Sequence, residues 1–211
     1  MRYLFINTAV SVSTVAFIEN NTVLSICDEY NSNDLSEKIF LMIDKVFNES
    51  GYTPNDLNKI FVINGPGSFT GIRIGLAIAK TMAWALNIDL IPISCLELIA
   101  TTPSNVPVVS LIDARRNYGY AGVYDNDLEA IMLDKYISLE ELAKLYPETK
   151  VKYVSYDMFN TIKTEKPVID YIKVIKKHEN DAVISCHKVN PVYLKLTEAE
   201  EKRNQNEHCE S

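Results

Sequence analysis

The spacing of apolar residues changes repeatedly along this chain, and each change predicts an element. Residues 3–8 alternate as a strand, and Ser11 to Ile18 forms a second strand rich in β-branched types. Asn20-Asn21 is a hairpin turn signal, and Val23 to Asp28 returns as a third strand. Helical spacing then runs from Leu35 to Glu49, with Leu35, Ile39, Met42, Ile43, Val46 and Phe47 on one face. Asp34 followed by Glu37 resembles a capping box, and Gly51 suits the C-terminal cap. Thr53-Pro54 opens a short helical turn. A strand over 59–64 leads into Gly65-Pro66-Gly67-Ser68-Phe69-Thr70-Gly71 and a long apolar helix ending near Leu86.

The pattern then repeats in shorter form. Leu90 to Ile93 is a strand, and Ser94 caps a helix with Glu97 at its third position. Thr101 to Pro107 is a linker candidate. Val108 to Ile112 is a buried strand leading to Asp113-Ala114-Arg115-Arg116, and Tyr118 to Tyr124 pairs back. Ser138 starts a short helix that Pro147 ends, Val151 to Tyr156 is a strand, and Val168 to Lys177 is helical. From Thr197 the chain is polar and charged and is expected to be disordered. The order predicts an α/β fold of two related halves, the second reduced. The expected domains are 1–102 and 103–196, with a tail over 197–211.

The helix after the glycine run has an unusual surface. Residues 72–86 carry only Arg73, Lys80 and Thr81 as polar side chains. Arg73, Ala77, Lys80 and Trp84 share one stripe, and Gly71, Gly75, Ala79 and Ala83 form a small-residue ladder on roughly the opposite side. A helix apolar almost all round must be buried almost all round. Its own sheet covers one side. The other side is met by a partner, or the helix is wrapped wholly by its own domain.

Composition narrows the classes. The net charge of −7 argues against bulk electrostatic binding of nucleic acid. No segment reaches the roughly 20 apolar residues of a membrane span. The N-terminus reads as a strand and not as a signal peptide. Cys27, Cys95, Cys186 and Cys209 are far apart, without zinc-site spacing, which suits reduced thiols in a cytoplasmic protein.

Strand, glycine-rich turn and helix start is the layout of an anion cradle, but also of a tight crossover turn without a ligand. The run is not a Walker loop, because no Lys-Ser/Thr pair follows, and its spacing is wrong for a dinucleotide fingerprint. Gly-Pro-Gly-Ser-Phe-Thr-Gly-Ile-Arg-Ile-Gly over 65–75, with Pro92-Ile93-Ser94, Asp113-Ala114-Arg115 and Pro191-Val192-Tyr193-Leu194-Lys195, resembles the bacterial TsaB (YeaZ) family. Lys195 stands where Arg is usual, and residues 125–188 match only loosely. The resemblance implies the actin-like ATPase (ASKHA, ribonuclease H-like) fold. It implies a non-catalytic paralogue of TsaD that binds and activates TsaD, with TsaE. The three form the threonylcarbamoyl group on adenosine beside the anticodon of tRNAs reading ANN codons. It also implies self-association through the same surface, with tRNA met only indirectly.

Several residues bear on catalysis. Asn7 ends the first strand, where the resemblance leads one to expect Asp, and an amide is neither a base nor a good Mg²⁺ ligand. Leu35 stands where relatives often carry His. The only histidines are His178, His187 and His208, each expected at the surface. All seven glycines lie at or before Gly122, so the second half has no glycine loop to cradle adenosine. Asp113 ends a buried strand, as a catalytic carboxylate or as an Asp bonding turn amides.

The expectation is therefore no catalytic residue, no metal and no tightly held cofactor, ATP being used by the complex. Gly65, Gly67, Ser68, Thr70 and Gly71 would be a vestigial phosphate site. The partner interface implied by the resemblance is Leu35, Ile39, Met42, Ile43 and Val46 with Arg73, Ala77, Lys80 and Trp84. An active actin-like kinase or ATPase is the alternative, and it requires ATP binding by the isolated chain. A third reading is a peptidase, which no Ser-His or Cys-His pair or HExxH metal motif supports.

Overall fold

In a computed structural model, residues 1–31, 34–181 and 185–195 are described. Two sheets are built by the same rule. In the first, β1 (Arg2–Asn7), β2 (Val12–Glu19) and β3 (Thr22–Tyr30) form an antiparallel meander. After α1 (Leu35–Ser50), β4 (Lys59–Gly65) pairs parallel with β1. After α2 (Phe69–Leu86), β5 (Asp89–Ser94) pairs parallel with β4, giving the order β3-β2-β1-β4-β5.

The short α3 (Cys95–Ala100) leads to the second sheet. There β6 (Val108–Asp113), β7 (Tyr118–Tyr124) and β8 (Ala130–Ser138) repeat the meander. After α4 (Leu139–Leu145), β9 (Lys152–Val154) pairs parallel with β6, and α5 (Tyr171–His178) follows. The order β8-β7-β6-β9 is the first pattern without its fifth strand. The chain therefore has two related α/β halves, the second reduced.

Local chemistry explains many boundaries. Asn20 and Asn21 both take positive φ, 48° and 63°, as the tight turn between β2 and β3 requires. Gly51 ends α1 in the left-handed region, and its N–H donates to the Phe47 carbonyl. Ser94 caps α3 by accepting from the N–H groups of Leu96 and Glu97. All six residues of α3 are buried. One continuous apolar core joins the first sheet to α3, to Val108, Ile112 and Tyr124 of the second sheet, and to Val174 and Ile175 of α5. A smaller core lies between the other face of the second sheet and α4.

Some local expectations need correction. The Asp34 side chain makes no capping hydrogen bond; it pairs instead with Lys38, one turn on, at 3.3 Å. β9 is three residues long and α5 begins at Tyr171, so both are shorter than the apolar pattern suggests. β8 is an element that the apolar pattern does not predict. The expected tail over 197–211 lies outside the described residues.

Candidate functional site

The glycine turn is fitted to neighbouring backbone on two sides. A Cβ at Gly67 would lie 2.2 Å from the Ala9 carbonyl oxygen, and one at Gly71 1.9 Å from that of Thr8. A Cβ at Gly65 would lie 2.4 Å from the Val192 carbonyl oxygen. Gly65 and Gly67 also have φ of +136° and +153°. Close packing therefore accounts for all three without a ligand. The Ser68 N–H donates to the Ala9 carbonyl at 2.7 Å, and the Ser68 hydroxyl accepts from the Gly71 N–H at 3.3 Å. Ser68 and Thr70 are exposed at the start of α2.

Beside this turn a cleft of about 500 Å³ separates the two halves, lined among others by Ser11, Asn31, Ser68, Asp113, Arg115 and Asp157. Asn7 is buried below it, and its Oδ1 accepts from the Ala9 N–H at 3.0 Å. Asp113 bonds turn amides: its Oδ1 accepts from the Arg115 N–H, while its own N–H donates to Asp157 Oδ2, both at 2.8 Å. Ser155, just after β9, is buried and donates to the Leu111 carbonyl of β6 at 2.6 Å. Among the described residues no group of three His, Cys, Asp or Glu side chains could hold a metal ion. Leu35 is buried at the start of α1.

His178 is not the surface residue expected. Its Nε2 lies 2.9 Å from Glu97 Oε2 and its Nδ1 2.6 Å from Asp181 Oδ2. Burial opposes its charge, but the hydrogen bonds and charges of both carboxylates outweigh burial and raise its pKa. Burial would likewise raise the Glu97 carboxyl, yet His178 and Lys177 hold it below the usual range. His187 is exposed, and His208 lies outside the described residues.

The expected partner interface divides sharply. On α1, Leu35, Ile39, Met42, Ile43 and Val46 are all buried in the protein's own core. They face the first sheet and cannot present themselves to a second molecule. The large apolar side chains that α1 shows to solvent are Phe40, 55% exposed, and Leu41, 68% exposed. On α2, Arg73, Ala77 and Trp84 are exposed, Trp84 at 66%, and Lys80 is half-buried. The small-residue ladder faces inward: a Cβ at Gly75 would meet Thr8 Oγ1 at 2.3 Å. Phe40, Ala77, Ile78, Thr81 and Met82 line a shallow groove of about 280 Å³ between the two helices.

The missed residues had a signal. Ile39-Phe40-Leu41-Met42-Ile43 is five apolar residues in a row, too many for one helical face. Some of them had to point outward. The late segment 187–195 also belongs here, as a strap along α2 and the glycine turn. Lys80 Nζ donates to the carbonyls of His187 and Val189 at 3.2 and 2.9 Å, and the Val192 N–H donates to the Asn64 carbonyl at 2.8 Å.

A meander joined to parallel strands through helices, repeated in a shorter second half, defines an actin-like ATPase-type fold. The family model described as TsaD, tRNA N6-adenosine threonylcarbamoyltransferase, matches residues 26–202. The TsaB protein of Bacillus subtilis (strain 168), named for tRNA threonylcarbamoyladenosine biosynthesis, is 28% identical over 96% of this chain and 97% of its own. TsaB of Escherichia coli (strain K12) is 32% identical over 62% of this chain and 58% of its own. The structure of YeaZ from Pseudomonas aeruginosa superposes with a TM-score of 0.74 at 18% identity, covering 92% of this chain and 99% of that one. Within the group that the TsaD model defines, the chain belongs to the TsaB (YeaZ) family, whose proteins are involved in tRNA threonylcarbamoyladenosine biosynthesis.

Proposed function

We propose that this protein is a non-catalytic subunit that docks a TsaD-type transferase through the exposed edges of α1 and α2. The complex, with TsaE, forms the threonylcarbamoyl group on the adenosine beside the anticodon of tRNAs reading ANN codons. The protein itself holds no nucleotide tightly, acts in the cytoplasm and meets tRNA only through its partner. The observation that carries this reading is the apolar groove that Phe40, Ala77, Ile78 and Met82 line between α1 and α2, left uncovered by the chain's own fold, with Trp84 exposed further along α2. Exposed apolar grooves mark interaction sites, and large aromatics that become fully buried on binding dominate the binding energy. The same face serves self-association when the transferase is absent.

Trp84, the chain's one tryptophan, reports directly. Titration with the transferase should shift its emission to the blue as the complex forms on a sizing column. Complex formation with an unchanged spectrum would place the contact elsewhere.

A further inference from the structure

At the edge of that face, where α2 begins, a compact cluster joins the helix to the strap. The rings of Phe69 and Tyr193 stack with centroids 5.2 Å apart. The Arg73 guanidinium lies 3.8 Å from the Phe69 ring centre, and its Nε donates to the Tyr193 hydroxyl at 2.9 Å. All three residues are exposed. Among the described residues no carboxylate forms an ion pair with Arg73, and its two Nη groups make none of the described hydrogen bonds. A guanidinium with no described carboxylate partner is notable in a chain of net charge −7.

A solitary surface arginine samples many rotamers and loses that freedom on binding. Here the guanidinium sits over the Phe69 ring and Nε is tied to Tyr193, so much of that freedom is already lost before any ligand arrives. Two parallel N–H donors on a fixed plane match the two oxygens of a carboxylate. Arg73 lies one turn before Ala77, which lines the apolar groove. A polar rim of this kind fixes register while the apolar centre supplies affinity.

We propose that Phe69, Arg73 and Tyr193 form a preformed anchor for an Asp or Glu side chain of the partner that docks on the α1–α2 face. Tyr193 is the positioning residue: it touches Arg73, and Arg73 touches the partner. This rests on the α1–α2 face being the partner surface, so its test carries a separate control for that face.

The experiment measures the affinity of the full chain for the purified TsaD-type transferase of the same organism at two salt concentrations. Circular dichroism accompanies every variant. Ala77→Glu, at the centre of the face, should abolish binding. Arg73→Gln should weaken it about 10- to 100-fold and flatten its salt dependence, and Arg73→Lys should not restore it, because an ammonium lacks the fork. Tyr193→Phe keeps the ring stack and should weaken binding about 3- to 10-fold alone, but less than about twofold when Arg73 is already Gln. If Ala77→Glu abolishes binding while Arg73→Gln stays within twofold, the face stands and the anchor is overturned. If Ala77→Glu leaves affinity unchanged, the reading of the face and the anchor built on it both fail. Additive effects of Arg73→Gln and Tyr193→Phe would overturn the positioning role.

Discussion

Glu97 on α3 and His178 on α5 meet at 2.9 Å and tie the last helix to the centre of the molecule. Lys177 adds a second ion pair to Glu97 at 3.1 Å. The tie lies next to the core that joins the halves, so its protonation affects the whole fold. His178 has a raised folded pKa, so its contribution is complete below the ordinary imidazole value of about 6.5 and is lost as pH rises through the raised value. Glu97 has a lowered folded pKa, so its contribution is complete above the ordinary value of about 4.3 and is lost as pH falls through the lowered one. Both are at full strength from about pH 4.5 to 6.5. Urea titrations of wild type and His178→Gln should differ by about 1.5–3 kcal/mol in that window, and by less at pH 9, where Lys177 alone still holds Glu97. A difference constant from pH 5.5 to 9 would contradict a charged pair.

The glycines separate two kinds of constraint. Gly51 has positive φ and nothing within 4 Å of a built Cβ, so Gly51→Ala should cost only the left-handed backbone penalty, about 1 kcal/mol. At Gly71, φ is not in the left-handed region, but a Cβ would overlap the Thr8 carbonyl oxygen. That oxygen is backbone and cannot swing aside, so α2 must lift off β1. Gly71→Ala should cost roughly 3 kcal/mol or more, at the upper end of overpacking. Denaturation midpoints of the two variants, measured side by side, test the ordering. Equal losses would mean that α2 moves away from Thr8 easily.

Much of this architecture was legible because local signals and tertiary packing agree. Asn20-Asn21, Gly51, Ser94 and the α1 stripe each act through a local rule, and each behaves accordingly. β8 was missed because its register shifts twice against β7, which breaks the alternation of its apolar residues, and because Ile131 and Leu133 are exposed. Asp134 on the same strand accepts from Tyr124 at 2.5 Å and from Ser94, contacts that no spacing rule could connect. The α1 half of the expected interface failed for a simpler reason. An apolar stripe says that a face is buried, not by what, and in α1 the protein's own sheet takes it. The strap was invisible because Arg73 and Tyr193 stand 120 residues apart.

Two neighbouring residues on α1 distinguish core from docking surface. Ile39 is completely buried, so Ile39→Ala should cost about 2–5 kcal/mol and weaken partner binding only through lost folding. Phe40 is more than half exposed, so Phe40→Ser should change stability by less than about 0.5 kcal/mol while reducing affinity for the transferase at least tenfold. Calorimetric unfolding together with binding isotherms separates the two. If Phe40→Ser binds as tightly as wild type, the groove between α1 and α2 is not the contact.

Asn7 provides the sharpest test of the non-catalytic reading. It is 2% exposed at the end of β1, and its amide oxygen accepts from the Ala9 N–H. Asn7→Asp would place a carboxylate there with that single described hydrogen bond and no described cation. Burial would then raise its pKa, because a charge without a partner is costly in the interior. A raised carboxylate pKa makes the folded state weaker as pH climbs from the unfolded value through the folded one. Asn7→Asp should therefore match wild type most closely near pH 4 and fall behind by roughly 1–3 kcal/mol at pH 8. If the cleft were a working nucleotide site, Mg²⁺ with ATP would offset the new charge and recover that loss. We expect no recovery at millimolar Mg²⁺ and ATP, and no binding heat from wild type at the same concentrations. A rise of several degrees in the melting temperature of Asn7→Asp on adding both would instead restore the actin-like kinase or ATPase reading.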